Sequence, residues 1–226
     1  MNSKQIIKRL KSMGDAERKA GMAGFGISTE KALGIRVPEL RTLAGEIGKN
    51  HEIALELWAS GIHEARLLAG MIDEPKKVTE QQMDAWVAEF DSWDICDQAC
   101  SNLFDKTPYA YDKIHQWAER EEEYVRRAAF ALLAAKAVHD KKASDGVFSA
   151  FLPLIEKHCD DERNFVRKAV NWALRQIGKR NLNLNALAVK SAHRISRQLT
   201  KSARWIAADA LRELESDKVR ERLSAR

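Results

Sequence analysis

Four side chains are of the types and spacings that could do chemistry. Trp93 and Asp97 lie in Asp91-Ser92-Trp93-Asp94-Ile95-Cys96-Asp97-Gln98. Ser92 suits a helix N-cap, and residues four apart share a face of the helix it would start. The apolar stripe of that helix is Ile95, Ala99 and Leu103, with Cys96 and Cys100 beside it; Asp97 falls at its edge and Trp93 nearer to it. Taken alone, the plainer reading is a core-anchoring Trp with a solvated Asp. Arg127 lies in a helix that is apolar all round, in line with Ala131, Ala134 and Val138. A guanidinium there requires a carboxylate, carbonyl or phosphate, and a structural salt bridge is the first reading. Trp172 sits among cations, which points to a bound ligand rather than to the core.

The surroundings of Trp172 are the strongest unaided signal. From Arg163 to Ala208 there are eleven basic residues and no Asp or Glu, whereas the whole chain carries +5, so the remainder is at about −6. Lys168, Trp172, Arg175 and Lys179 fall at i, i+4, i+7 and i+11, one helical face, opposite a stripe of Val166, Ala169, Val170, Ala173 and Ile177. Lys190, Arg194, Arg197 and Lys201 repeat that spacing on the next helix. Two neighbouring basic faces, one with an aromatic, read as a surface for a polyanion, with nucleic acid as the leading ligand.

The elements that must position these residues are helices. The 226 residues hold only 4 prolines, 45% are apolar and 31% charged, and no segment alternates with the period of a strand. Helices are expected from Ser3 to Gly14, capped by Ser3, and over Asp15–Ala23, Pro38–Gly48, Glu52–Ser60, His63–Met71, Thr79–Phe90, Ser92–Asp105, Tyr109–Arg120, Glu123–His139, Ser144–His158, Arg163–Gly178, Asn185–Leu199 and Ser202–Leu214, with a short tail helix. Gly21, Gly24 and Gly26 interrupt the pattern, and without a preceding strand they are no nucleotide loop.

An apolar–Arg–x–apolar–apolar core recurs at Ala65–Ala69, Val125–Ala129, Val166–Val170 and Ala203–Ala207. The last three Arg positions are 41 and 37 residues apart. With two helices per unit, this is the signature of HEAT or armadillo stacking, so residues 1–226 are expected to form one all-α, HEAT-like-repeat solenoid domain with a concave face. The basic stripes would share that groove if the same helix of each repeat lined it. Arg126 is the ordinary repeat-position Arg, by analogy with Arg66, Arg167 and Arg204.

Other chemistries find little support. The 6 histidines are scattered, and His158-Cys159-Asp160-Asp161 reads as a solvated turn rather than a metal site. Three cysteines do not make a disulfide framework. The N-terminus lacks an apolar signal core, and the longest apolar run, Ala128–Ala135, is far short of a membrane span, so a cytoplasmic protein is expected.

The chain resembles the bacterial DNA alkylation repair family of HEAT-like-repeat DNA glycosylases, the AlkD type. The resemblance is carried by Leu33-Gly34-Ile35-Arg36-Val37-Pro38-Glu39-Leu40-Arg41, by Ser92-Trp93-Asp94-x-x-Asp97, by Val125–Ala129 and by Phe165–Arg175, together spanning roughly residues 20 to 215. It implies a superhelical all-α solenoid whose concave basic groove wraps double-stranded DNA. It also implies excision of positively charged N3- and N7-alkylated purines without a base-flipping pocket. Trp93, Asp97, Arg127 and Trp172 match the family's active-site Trp, Asp, Arg and Trp. Arg175 matches a backbone-contacting Arg, and Phe25 lies where relatives place an aromatic near the DNA. A monomer acting without metal or cofactor is expected. The alternative is a non-catalytic HEAT-repeat protein that binds damaged or branched nucleic acid through the same surface.

Overall fold

In the computed structural model, residues 1–225 are described. Among them the chain forms fifteen α-helices, two 3-10 turns and no strand, and its internal contacts gather into two compact units, Met1–Ala110 and a second beginning at Tyr111.

In the first unit, α1 (Ser3–Met13) is capped by Asn2 rather than Ser3. Asn2 Oδ1 accepts from the Gln5 amide and Gln5 returns the bond to Asn2 N, each at 3.0 Å. Ser3 instead turns its hydroxyl to Glu56. Helix α2 (Ala16–Met22) runs into a 3-10 turn over Ala23–Phe25 that ends at Gly26 with φ 73°. Then follow α3 (Val37–Ile47), α4 (His51–Ala59), α5 (His63–Ile72), α6 (Glu80–Ala88) and α7 (Trp93–Asn102). Helix α5 is the pivot. Nearly all of it is buried, and it packs on α3, α4 and α7. Its Glu64 is fully buried and accepts three successive backbone N–H groups, from Leu33 (2.8 Å), Gly34 (2.7 Å) and Ile35 (3.2 Å). The Leu33–Arg41 motif is thus held by one carboxylate before Pro38 starts α3. Gly34 has φ 83°, and a Cβ there would lie 2.2 Å from Asp15 O and 2.7 Å from Lys19 N, so no other residue fits without moving α2.

In the second unit, α9 (Glu123–His139) is buried on nearly every side from Val125 to Ala137, as its apolar composition requires. It packs on α12 (Asn164–Gly178), which packs in turn on α14 (Lys201–Leu214). These three make one layer. Helices α10 (Asp145–Ser149), α11 (Leu152–Lys157) and α13 (Leu182–Ile195) make the other, with α10 and α11 both against α13. Helix α8 (Ala110–Ala118) precedes and α15 (Asp217–Ser224) follows. The single helix expected over Ser144–His158 is therefore two. The chain breaks at Ala150–Phe151, and Pro153, which has no N–H to donate to a preceding turn, opens the second. The second basic-rich helix starts at Leu182, capped by Asn181 (Oδ1 accepts from Leu184 N, 2.8 Å), rather than at Asn185, and ends at Ile195 rather than Leu199.

The repeat-position arginines tie neighbouring segments together. Arg66 donates to the main-chain oxygen (3.0 Å) and carboxylate of Glu89 and lies 5.0 Å over the Trp58 ring. Arg126 bonds Ala118 O (3.0 Å) and Asp161 (2.9 Å). Burial would raise the Asp161 pKa, but bonds from Arg163 and Arg126 outweigh it and hold it at about 2. Among the described residues no helix is long and apolar enough to cross a membrane.

Candidate nucleic-acid interface

Helix α7 carries Trp93 and Asp97. Its core face is Ile95, Cys96, Ala99 and Cys100, all buried, and Trp93 and Asp97 lie one turn apart, each half-buried. Ser92 has extended N-cap backbone but makes no side-chain capping bond. Its hydroxyl donates to Asp94 (2.7 Å), which also bonds His63 Nε2 (2.8 Å) on α5. Burial works against charge on both partners, yet the mutual bond prevails, so the Asp94 pKa is lowered and the His63 pKa is raised. This buried pair clamps the start of α7 to α5. A second brace comes from Arg41 in the Leu33–Arg41 motif, which donates to Gln98 (3.2 Å) and Asn102 (3.3 Å). The indole of Trp93 is fixed in turn: its Nε1 donates to Phe25 O at 3.0 Å. Phe25 and Trp93, widely separated in sequence, are thus neighbours, and the Phe25 ring is 71% exposed.

In the second unit, Arg127 is buried and donates Nη1 to Phe165 O (2.6 Å) in the first turn of α12. A main-chain carbonyl is thus one partner of this guanidinium, and Tyr124 stacked on Phe165 closes the same contact. Along α12, Lys168 is exposed while Trp172, Arg175 and Lys179 are half-buried, all on the side away from Val166, Ala169, Val170, Ala173 and Ile177.

Acids flanking the acid-free stretch answer part of its charge. Arg175 bonds Glu213 (2.8 Å) and approaches Asp209 (3.5 Å), Lys179 bonds Glu213 (2.7 Å), and Asn171 bonds Asp209 (2.7 Å). Burial would raise the Glu213 pKa, but Lys179 and Arg175 hold it below the ordinary carboxylate range. Arg194 makes two bonds to Glu156 on α11, at 2.9 and 2.6 Å. By contrast, Lys168, Lys190, Arg197 and Lys201 are exposed and their side chains make no ion pair among the described residues.

Lys190 and Arg194 do not share a surface with the α12 stripe. Helix α13 buries Leu184, Ala188, Ser191, Ala192 and Ile195 and turns Lys190 and Arg194 outward from the α10–α11–α13 layer. Helix α12 turns its stripe outward from the α9–α12–α14 layer, on the far side of the unit. The spacing grouped the first stripe correctly, but the second does not lie on one helix: α13 ends at Ile195, so Arg197 falls in the turn after it and Lys201 opens α14, in the other layer. Charge composition likewise missed the Arg175–Glu213 and Arg194–Glu156 pairs, whose members are 38 residues apart.

One aromatic was overlooked. Trp205 on α14 is 37% exposed, and the Arg167 guanidinium lies 5.2 Å over its ring. The signal was present: Lys201, Trp205, Ala208 and Arg212 have the same i, i+4, i+7, i+11 spacing as the α12 stripe.

His158 contacts Glu119 (3.4 Å) and the edge of Phe130, and Cys159 donates to Glu156 O (3.1 Å), so these residues serve the packing of their turn. No group of three or more His, Cys, Asp or Glu able to hold a metal occurs among the described residues.

Stacked helix pairs with a recurring Arg define a protein of the all-α HEAT-like-repeat class. A solved structure described as "a new family of proteins related to the HEAT-like repeat DNA glycosylases with affinity for branched DNA structures" is similar to this chain over 94% of its length and 95% of the other, with a TM-score of 0.79 and 20% identity. At that identity the likeness is one of fold. The family model described as DNA alkylation repair enzyme matches residues 6–214, and the chain belongs to that family. No curated protein matches it significantly.

Proposed function

We propose that the protein is a DNA glycosylase that excises positively charged N3- and N7-alkylated purines from double-stranded DNA in the cytoplasm, acting as a monomer. The observation that carries this reading is the Trp93–Asp97 pair on α7. Its indole is fixed by Phe25 O, and its helix start is clamped by the His63–Asp94 bond beneath. Side chains that served only packing would not need such bracing one turn from a half-exposed carboxylate.

The chemistry suits these groups. An alkylated N7 or N3 gives the base a positive charge, so when the C1′–N9 bond breaks its electron pair neutralises the departing base. No general acid is needed, and none is assigned. Positive charge develops on the sugar, where the Asp97 carboxylate stabilises it and orients the attacking water. The water oxygen bonds C1′ and its proton passes through Asp97 to solvent. The indole faces of Trp93 and Trp172 would pack against the sugar and favour the cation. Lys168 would hold a flanking phosphate, with Arg175 and Lys179 joining it by releasing Glu213, and Arg127, buried against Phe165 O, would reach a phosphate only by giving up that bond. Phe25 would rest beside the same stretch of DNA. No metal or cofactor is called for by this reaction.

A second reading is supported by the affinity for branched DNA attributed to the similarly folded protein: a non-catalytic binder of damaged or branched DNA. Incubation with a duplex containing N7-methylguanine separates the two. The first predicts release of free base and loss of release in Asp97→Asn with binding kept; tight binding without release would favour the second.

A further inference from the structure

We propose that Trp205 is a stacking site for an unpaired base, so that the second unit binds a single-stranded DNA arm next to the duplex. The core face of α14 is Ala203, Ile206, Ala207, Ala210 and Leu214, all buried, and Trp205 projects from the other side with 37% of its surface exposed. The fold does not require an indole there, because a polar residue would leave the core unchanged. The ring is nevertheless held: the Arg167 guanidinium of α12 lies 5.2 Å from its centroid.

The surroundings are cationic. Lys168, Lys201 and Arg204 are exposed, with no side-chain ion pair among the described residues. The acids nearby in the layer are engaged: Asp209 by Asn171 and Arg212, and Glu162 by the Lys201 and Ser202 amides that open α14. An indole set among unpaired cations offers a π-face for a base and charges for its phosphates. In a duplex the base faces are covered by their neighbours, so the complement of an exposed ring is an unpaired base.

The repeat strengthens the assignment. Trp205 follows Arg204 as Lys168 follows Arg167 and Arg127 follows Arg126. The three therefore hold equivalent positions on successive helices of one layer, α9, α12 and α14. With neighbouring helix axes 8–10 Å apart, Trp205 ends a row roughly 20 Å from Arg127. Arg127 is buried, and the exposed members of the row are Lys168 and Trp205, so DNA held at Lys168 would reach Trp205 beyond it.

The inference rests on the DNA-binding part of the proposed function and not on excision. It is tested on the full chain by fluorescence anisotropy with a blunt duplex and with the same duplex bearing an oligothymidine arm. Wild type should prefer the armed duplex by about tenfold, Trp205→Ala should remove that preference without weakening blunt binding, and Trp205→Phe should retain most of it. An arm of abasic nucleotides carries the same phosphates and no bases; with unmodified protein it should lose the preference, which decides the matter even if a variant fails to fold. Equal affinity for blunt and armed DNA, a preference that survives Trp205→Ala, or one that survives the abasic arm would overturn the site. Failure to bind either DNA would instead refute the DNA-binding reading itself.

Discussion

Replacing Asp94 by Asn tests the brace beneath the candidate catalytic pair. Asp94 accepts from His63 Nε2 at 2.8 Å and Ser92 Oγ at 2.7 Å, and the side chains of Asp94 and His63 are only 14% and 4% exposed. Hydrogen bonds to a charged partner contribute about 1.5–3 kcal/mol and neutral ones about 0.5–1.5, so neutralising the shared acceptor should cost about 2 kcal/mol. For a chain of this size that is a fall in melting temperature of about 4–8 °C. The pH dependence follows from the two shifts. The raised His63 pKa gives stability that is complete below the unfolded value of about 6.5 and is lost as pH rises through the folded one. The lowered Asp94 pKa gives stability present above its unfolded value of about 3.9 and lost as pH falls through the folded one. The gap between wild type and Asp94→Asn should thus be widest between about pH 4 and 6.5 and should narrow towards pH 8.5. Thermal unfolding followed by circular dichroism at pH 5.5, 7 and 8.5 measures it. A gap absent at pH 5.5, or one that widens towards pH 8.5, would refute the assignment of this pair as a charged clamp. If the clamp positions Trp93 and Asp97, base release should also fall by more than duplex binding.

Other consequences are open to simpler tests. Lys168→Ala should lower the salt dependence of duplex binding by about one counterion, whereas Arg194→Ala, on the other layer and paired with Glu156, should leave that slope unchanged; equal effects would contradict the assignment of the interface to the α9–α12–α14 layer. Gly34→Ala should destabilise by roughly 3 kcal/mol or more, because φ is +83° and the new Cβ meets the backbone of Asp15 and Lys19, read as the urea midpoint.

The fold was legible where local chemistry decides it. Helix α9 has the bounds its apolar run and charged ends indicated, and the recurring Arg announced the stacked helix pairs. Local signals misled where two residues competed for one role: Asn2 displaced Ser3 as a cap because Gln5 could complete the reciprocal bond, and Pro153 divided a segment whose apolar periodicity ran through it. The site was legible only as parts. Helical spacing grouped Trp93 with Asp97 and Lys168 with Trp172, since that grouping depends on a single helix. It could not show that Phe25 O receives the Trp93 indole, that Glu64 gathers the Leu33–Ile35 amides, or that Asp209 and Glu213 return to Arg175, because those contacts depend on how helices far apart in sequence pack. Trp205 was not legible from charge spacing, because what singles it out is the repeat register, which places it level with Arg127 and Lys168 on the neighbouring helices.

The most direct measurement of the central claim is single-turnover release of N7-methylguanine from a duplex by wild type and by Asp97→Asn, with duplex affinity measured in parallel. Catalysis by this carboxylate predicts release by wild type, a fall of about 10²–10³ in rate for the variant, and little change in affinity. Equal rates, or no release by wild type at concentrations that saturate the duplex, would contradict it.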